Sequence, residues 1–514
     1  MTEKCLGYLR QNFKKIGFLI VILVFLISLE IFLFHSIVKA NSSLASPNKT
    51  VDAHTGINPA MKSNFSFTPS NKTVYVAGDG SGDFNCNGNN TQVEINKALS
   101  SVAENPQFTT VHLKGPNTYV ISNSIFIGNN TTLEGDPTAV IKLEDKADWP
   151  VNKPLITQVN RSGTQGITIK GFEISGNYEN NLDKPLGYGY YNMVFFSNAT
   201  DIQVHDMYMH DGHGEAVRVE TGSNIQFYNN IVYKIGHNDL FVEDCQYVDA
   251  WNNKLTVRTD SGLKASNSNH VKFHDNTINS FYHWSAGGPG ILIGKNTGIV
   301  NDVEIYNNTI QDTYGPGIWL LGSSKSYPKD EAKNVHIYHN VFHNTGTNPS
   351  IDWVGGIVSS GFYDTLIENN TFDGVYHAAI VHMIPTGDKI HVYPTDIGHK
   401  YVDLSPKDTG YTTFVRNNII ANTKQRKKDP DGTGYGVINY IPEISSFVLE
   451  HNCLYNNYAG NYLNCTSNTD IYVDPLLVNQ RIGAGYNVSS DPTRELLKNG
   501  EQIDIKSIRK QSYS

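Results

Sequence analysis

Side chains that transfer protons or bind anions are concentrated between residues 213 and 264. Several of them recur 23 residues apart, so that Glu220 is followed by Glu243 and His237 by Asp260. A structural repeat of that length would bring the side chains of successive units together on one surface. The candidate catalytic residues on this surface are His213, Arg218, Glu220, His237, Asp239, Glu243, Arg258, Asp260 and Lys264.

This set of groups permits β-elimination if the substrate is a uronic-acid polymer. The reaction needs a cation that neutralises the uronate carboxylate, a base for the proton at C5 and an acid for the departing oxygen. Arg218 or Arg258 could supply the cation. Lys264 could act as the base once its neighbours favour the neutral amine, and His213 or His237 could protonate the leaving group.

The same surface also permits hydrolysis of a glycosidic bond, which needs two carboxyl groups. Glu220 and Glu243 in successive units are expected about 5 Å apart, a separation associated with retention of configuration. The rings of Phe241 and Trp319 are expected to form an aromatic floor beneath a sugar. The alternative is a solvated polar face on which opposite charges form ion pairs that contribute little to the stability of the fold.

The elements that must position these side chains are indicated by an internal repeat of two polar residues followed by two mostly apolar ones. It begins as NNIV at Asn229, NNKL at Asn252 and DNTI at Asp275, and it continues to HNCL at His451. The first two steps are 23 residues and the next three are 30 to 32 residues, because turns accept insertions that short strands do not. The sequence therefore predicts an all-β fold, a right-handed parallel β-helix with about three short strands per coil.

The 23-residue step also aligns the strands without a structure. Side chains of alternate residues point to opposite faces of a strand, so inward and outward files can be assigned. The inward files are Val217, Leu240 and Leu263, and Val219, Val242 and Ala265. The outward files are Arg218, Phe241 and Lys264, and Glu220, Glu243 and Ser266. The asparagines are expected to bond along a ladder.

A second motif lies before the repeat. Asp83, Asn85, Asn87 and Glu94 have the spacing of a calcium-binding loop, so calcium is a candidate cofactor, although the capping role described next is favoured. The competing interpretation is that Thr91 and Glu94 form a capping box that opens a helix over QVEINKALSSV. That helix would cover the N-terminal end of the solenoid, and the two interpretations are compatible.

Residues 1–71 are predicted to lie outside the β-helix. A short cytoplasmic tail (1–15) precedes an apolar stretch (16–38) that is long enough to span a bilayer, and residues 39–71 form a polar stalk broken by prolines. The β-helix is predicted over 72–450, with a final coil and cap over 451–514. An uncleaved anchor that holds the body at the cell surface is favoured, and cleavage after Ala40 would release a secreted protein.

Composition limits the other partners. The net charge of −9 and the scattered acidic residues argue against nucleic acid, and a monomer is expected. Recurring Asn-x-Ser/Thr sites suit an exported glycoprotein. Cys453 and Cys465 are close enough in sequence to bridge, and the five cysteines have no zinc-type spacing.

Longer phrases of the sequence resemble a known family. The segments YVAGDGSGDFNCNGNNTQVEINKAL, HLKGPNTYVI, LEGDPTAVIKL and RTDSGLKASNSNHVKFHDNTINSF resemble the disaggregatase-related surface proteins of methanogenic archaea. The resemblance covers roughly residues 72 to 450. It implies a pectate-lyase-like β-helix and, for the enzymes of the family, depolymerisation of methanochondroitin, a wall polymer of glucuronic acid and N-acetylgalactosamine. It assigns no catalytic residue.

Three functional hypotheses follow from the sequence. The first is an enzyme that cleaves an acidic polysaccharide by lyase or hydrolase chemistry. The second is an envelope or adhesion protein that binds such a polymer without turnover. The third is a uronate C5-epimerase, which shares proton abstraction with the lyase but leaves the chain length unchanged.

Overall fold

The computed structural model describes residues 72–182, 191–280, 288–295, 298–322, 332–349, 354–383, 411–426 and 433–477. These residues form 36 strands, one α-helix and a short 3-10 helix at Tyr178–Asn180. In chain order the strands and the helix are β1 (Lys72–Ala77), β2 (Phe84–Asn85), α1 (Gln92–Glu104), β3 (Phe108–Leu113), β4 (Asn117–Ile121), β5 (Ile125–Ile127), β6 (Thr132–Gly135), β7 (Ala139–Leu143), β8 (Ile156–Gln158), β9 (Thr164–Lys170), β10 (Glu173–Ser175), β11 (Val194–His205), β12 (Tyr208–His210), β13 (Val217–Tyr228), β14 (Ile231–Tyr233), β15 (Leu240–Glu243), β16 (Gln246–Trp251), β17 (Lys254–Val257), β18 (Leu263–Ser266), β19 (Asn269–His274), β20 (Thr277–Ser280), β21 (Ile291–Gly294), β22 (Val300–Tyr306), β23 (Thr309–Gln311), β24 (Ile318–Leu321), β25 (Ala332–Tyr338), β26 (Val341–His343), β27 (Ile357–Ser360), β28 (Thr365–Glu368), β29 (Thr371–Asp373), β30 (Ala378–His382), β31 (Tyr411–Arg416), β32 (Ile419–Ala421), β33 (Tyr435–Asn439), β34 (Ser445–Glu450), β35 (Cys453–Tyr455) and β36 (Gly460–Leu463).

Each coil contributes three short strands, as β15, β16 and β17 do, and successive coils pair in parallel. We call the face that contains β15 and β18 the first face, the face of β16 and β19 the second face, and the face of β17 and β20 the third face. The third face is a 12-stranded sheet, whereas the first and second faces form one 24-stranded sheet because β11 and β13 run through the corner between them. The predicted parallel β-helix with three strands per coil is confirmed.

The predicted register is also confirmed. Leu240 pairs with Val217 on one side and with Leu263 on the other. All three side chains are buried, as are those of the parallel file that includes Val242. Apolar side chains from the three faces fill the interior in this way along the solenoid, which removes their surface from water and supplies the main driving force for folding.

A continuous asparagine ladder runs through the corner between the second and third faces. Each buried asparagine donates from Nδ2 to Oδ1 of its equivalent in the next coil at 2.9–3.0 Å, until the last one donates to Asp470 at 3.1 Å. The ladder residues are Asn230, Asn253, Asn276, Asn308, Asn340, Asn370, Asn418 and Asn452. The residue before each of them has φ between 54° and 57°, a left-handed conformation that Asn and Asp tolerate better than most residues.

Helix α1 covers the N-terminal end of the core, as predicted. Ile95, Leu99 and Val102 are buried against the first coils. The predicted capping box does not form, because Thr91 has helical backbone angles and its hydroxyl donates to Val120 O at 2.9 Å instead.

The C-terminal strands extend the solenoid through β36. Cys453 and Cys465 are free thiols that contact different backbone carbonyls, those of Val473 and Val437, so the expected bridge is not formed. The part of the chain that the structure describes contains no helix with the length and apolar character of a membrane span. The anchor predicted at 16–38 and the stalk predicted at 39–71 lie outside the described residues.

Candidate functional site

The first face brings together four of the nine predicted catalytic side chains and the predicted sugar-binding residue Phe241. In its outward file Arg218, Phe241 and Lys264 occupy equivalent positions on β13, β15 and β18. Glu220 and Glu243 are equivalent in the next outward file. The strand pairing therefore places five of the predicted residues on one patch of the surface, which we call the charged cluster.

Arg218 joins the two glutamates of the charged cluster. Its Nη2 atom lies 3.2 Å from Glu243 Oε2 and also contacts Glu220 Oε1. Burial raises the pKa of Glu243, and the nearby guanidinium of Arg218 only partly opposes that effect. The two carboxyl groups thus share one cation, and the one on β15 is shifted towards the protonated form.

Phe241 lies between two cations rather than under open solvent. Arg218 Cζ is 4.9 Å and Lys264 Nζ is 4.7 Å from the ring centroid, and only 3% of the residue is exposed. Trp319 is 8% exposed and packs in an apolar cluster with Leu292 and Val358. The expectation that both rings form an open aromatic floor is wrong in this structure.

A chain of ionisable groups continues from Lys264 into the corner before the first face. Lys264 Nζ donates to Asp260 Oδ2 at 3.2 Å, and the same oxygen lies 3.1 Å from His237 Nε2. His237 Nδ1 is in turn 2.8 Å from Oε1 of the buried Glu215. Burial alone would raise the pKa of Asp260, but Lys264 and His237 outweigh it and lower that pKa.

His213 and Asp239 are predicted on the outer face, and the structure contradicts both placements. His213 is buried, with Nε2 2.8 Å from Asn181 O and its ring packed against Tyr178 and Tyr191. A proton donor in that position cannot reach a sugar on the surface.

Asp239 is completely buried, and neither carboxylate oxygen has a hydrogen-bond partner within the described ranges. Its burial raises the pKa of the carboxyl well above the usual value. The equivalent positions in the adjacent coils are Ala216 and Gly262, and a Cβ at Gly262 would meet the inward-facing Ile278 and Val257. Asp239 therefore lies just before β15, at a position that faces the core.

Arg258 lies against an aromatic ring, and no ion pair joins it to a carboxylate among the described residues. Its Cζ atom lies 4.5 Å from the centroid of the Tyr178 ring, and neither Nε nor Nη1 has a hydrogen-bond partner in the described part of the chain. Arg218 and Lys264, by contrast, contact carboxylates. Tyr178 lies outside the repeat that aligned the other residues, so the sequence pattern does not point to it.

The loop predicted to bind calcium is organised by its own hydrogen bonds. Asp83 Oδ2 accepts from Tyr75 N at 2.9 Å, and Asn85 Oδ1 accepts from Gly82 N at 2.9 Å. Glu94 pairs with Lys97 at 2.8 Å. The described residues contain no group of three or more His, Cys, Asp or Glu side chains that could hold a metal ion. Calcium binding by Asp83, Asn85, Asn87 and Glu94 stays a prediction.

Comparison with protein families identifies this fold. Residues 300–499 match the family model described as disaggregatase related, and residues 192–372 match the one described as right-handed beta helix region. The C-terminal part of the chain therefore resembles the disaggregatase-related family, and its middle part resembles right-handed β-helix proteins. The charged cluster lies within the second match and before the first. A search of curated proteins gave no match.

One solved structure shows the same type of fold, and two others match less closely. The A-module of the mannuronan C-5 epimerase AlgE6 of Azotobacter vinelandii is 15% identical, with a TM-score of 0.53 over 75% of this chain and 95% of that one. The surface adhesin PfbA of Streptococcus pneumoniae is 12% identical, with a TM-score of 0.47 over 74% and 96%. An exopolygalacturonase of Thermotoga maritima is 12% identical, with a TM-score of 0.41 over 74% and 87%. At these identities the likeness concerns the fold alone.

Proposed function

We propose that this protein depolymerises a uronate-containing polysaccharide by hydrolysis at the charged cluster. The observation that carries the proposal is the arrangement of Glu220 and Glu243, which contact the same nitrogen of Arg218 from adjacent coils. Hydrolysis of a glycosidic bond by paired carboxyl groups requires one protonated and one ionised member.

The environments of the two glutamates suit these different roles. The raised pKa of Glu243 favours the carboxylic acid, which can protonate the departing glycosidic oxygen. Glu220 is more exposed and contacts the Arg218 guanidinium, which stabilises a carboxylate. In this assignment Glu220 attacks the anomeric carbon, the bond to the leaving oxygen breaks, and water later releases the sugar from Glu220.

Two further cations, Arg258 and Lys264, suit an acidic substrate. The guanidinium of Arg258 pairs with no carboxylate in the described part of the chain, and a guanidinium can bind a carboxylate through hydrogen bonds. Lys264 adds a second positive charge beside Phe241. These two residues would hold the uronate carboxylate while the glutamates act on the adjacent glycosidic bond. The polymer of glucuronic acid and N-acetylgalactosamine that the family resemblance implies has the required charge.

β-Elimination is the second candidate, and one contact favours it. Asp260 Oδ2 touches both Lys264 Nζ and His237 Nε2, so protons could pass between a base and an acid after each turnover. The same contact weighs against Lys264 as the resting base, because its ammonium already donates to a carboxylate. Hydrolysis requires no such deprotonation and is therefore preferred.

Product analysis tests the proposal directly. Unsulfated chondroitin, a polymer of glucuronic acid and N-acetylgalactosamine, is incubated with the purified full-length protein, and both reducing ends and ultraviolet absorbance are followed. Hydrolysis predicts new reducing ends without the absorbance of an unsaturated uronate. Absorbance together with reducing ends would establish elimination instead. Unchanged chain length with retained binding would favour the adhesion role, and altered sugar configuration would favour epimerisation.

The proposed location follows from the sequence rather than from the described residues. An apolar segment at 16–38 followed by a polar stalk would hold the β-helix outside the cytoplasmic membrane. Fractionation of cells, with protease treatment of intact cells, tests this part of the proposal. Protein that stays in the soluble cytoplasmic fraction and resists external protease would contradict it.

A further inference from the structure

The outward file of the charged cluster continues towards the N-terminal end of the solenoid. Arg218 pairs with Phe195, Phe195 with Thr157, and Thr157 with Phe126. Phe126 thus lies five coil steps from Lys264 along one file, which is roughly 24 Å at the usual strand spacing. This distance accommodates several linked sugar rings along the first face.

Two apolar side chains on this part of the face are unusually open to solvent. Phe126 is 41% exposed although both of its neighbours in β5 are buried. Val159 is 66% exposed, and its amide donates to Ile127 O at 2.9 Å, which holds it beside the Phe126 strand. Exposed apolar side chains on one face offer surface against which the non-polar face of a ligand can pack.

An arginine accompanies these apolar groups. Arg161 is exposed, and its Cζ atom lies 5.3 Å from the centroid of the Phe195 ring. Its backbone carbonyl accepts a hydrogen bond from Asn198 Nδ2 at 3.0 Å, which fixes the turn that carries it. Within the described ranges no acidic side chain pairs with Arg161, whereas Arg218 in the same face contacts two.

We infer that Phe126, Val159, Arg161 and Phe195 form a binding subsite for an acidic polysaccharide, which we call the N-terminal subsite. Apolar side chains can pack against the non-polar surface of a sugar ring, and an unpaired guanidinium can bind a uronate carboxylate. The subsite would hold the polymer several rings from the bond that is cleaved. The identity of the ligand rests on the proposed function, whereas the location of the subsite rests on exposure, charge and register.

Binding measurements separate the subsite from catalysis. Calorimetric titration of unsulfated chondroitin is compared for the full-length wild type, Arg161→Ala and Phe126→Ala. Each substitution should weaken binding of the polymer at least about tenfold, because a hydrogen-bonded charge or a contacting ring is lost. Arg416→Ala is the matched control, since Arg416 is exposed on the second face and pairs with Glu368 at 2.6 Å.

The outcomes distinguish this inference from the proposed activity. Wild type that binds chondroitin without releasing product would defeat the proposed hydrolysis, yet weaker binding by Arg161→Ala would still support the subsite. Arg161→Ala that binds as tightly as wild type would overturn the subsite whatever the activity. Wild type that does not bind chondroitin, or binds uncharged dextran equally well, would also overturn it. Unchanged melting temperatures of the variants show that folding is intact.

Discussion

The Nζ atom of Lys264 lies 3.2 Å from Oδ2 of Asp260. Asp260 precedes Lys264 by four residues and lies at the corner before the first face. The contact makes Lys264 a hydrogen-bond donor to a carboxylate. Since a base for the C5 proton must first lose its own proton, the contact favours a role for Lys264 in binding an anion. It is the observation that weighs most clearly against Lys264 as the base of an elimination at this site.

Replacement of Leu240 tests the register on which the charged cluster depends. Leu240→Asp places a carboxylate among apolar side chains and should lower the free energy of unfolding by several kcal/mol. Phe241→Ala should also be destabilising, by about 3 kcal/mol, because the ring is almost fully buried between two cations. Chemical denaturation measures both changes. Wild-type stability for Leu240→Asp would show that the register is wrong.

Removal of Asp239 should stabilise the protein. Its carboxyl is buried without a hydrogen-bond partner, and burial raises its pKa well above the usual value. The unfolded chain releases this proton above about pH 4, so the stability attributable to this group falls as pH rises from there. Asp239→Ala, which matches Ala216 in the preceding coil, should therefore raise the free energy of unfolding at pH 7 by at least about 1 kcal/mol.

The pH dependence provides the control for this variant. The stabilisation should shrink as pH falls towards 4, where the unfolded chain also carries the proton. A loss of stability at pH 7 would mean that Asp239 makes a favourable interaction in the fold. Loss of product release with retained stability would restore the catalytic role predicted from the sequence.

Asp239 also shows where prediction from the sequence succeeds and where it ends. The 23-residue step placed Leu240 and Phe241 correctly, because strand geometry forces alternate side chains to opposite faces. The rule fails at Asp239, the residue before Leu240. The chain turns the corner there, and the two consecutive side chains of Asp239 and Leu240 both face the core. Burial of Phe241 was not foreseeable either, since it depends on Arg218 and Lys264 folding over the ring from adjacent coils.

His210 provides a pH-dependent contribution to stability on the third face. Its Nδ1 atom is 2.8 Å from Asp211 Oδ2 and its Nε2 atom is 3.1 Å from Glu173 Oε1. Burial lowers the pKa of His210, but the two hydrogen-bonded carboxylates outweigh burial and raise it to about 9. Because this pKa exceeds the unfolded value of about 6.5, the contribution is complete below pH 6.5 and is lost as pH rises through 9.

His210→Gln measures the size of that contribution. The variant should be less stable than wild type at pH 6 by an amount on the order of 3 kcal/mol, and the difference should diminish by pH 10. Urea denaturation across this range gives the free energies of unfolding. A difference that is constant with pH would show that the imidazolium does not bind the two carboxylates as the structure indicates.

The last prediction compares the two proposed chemistries in single variants. Glu243→Gln keeps the size of the side chain but cannot protonate a leaving oxygen, so it should reduce kcat by at least about a hundredfold. Its melting temperature should change little, since the side chain is partly exposed. Glu304→Gln is the matched control, because Glu304 lies on the second face and pairs with Lys272.

Lys264→Ala should instead raise KM for chondroitin and retain most of kcat, as expected for a residue that binds the uronate carboxylate. Loss of kcat in Lys264→Ala, with full activity in Glu243→Gln, would reverse the assignment and establish elimination. Full activity in both variants would remove the charged cluster from catalysis and leave it as a solvated wall of paired charges.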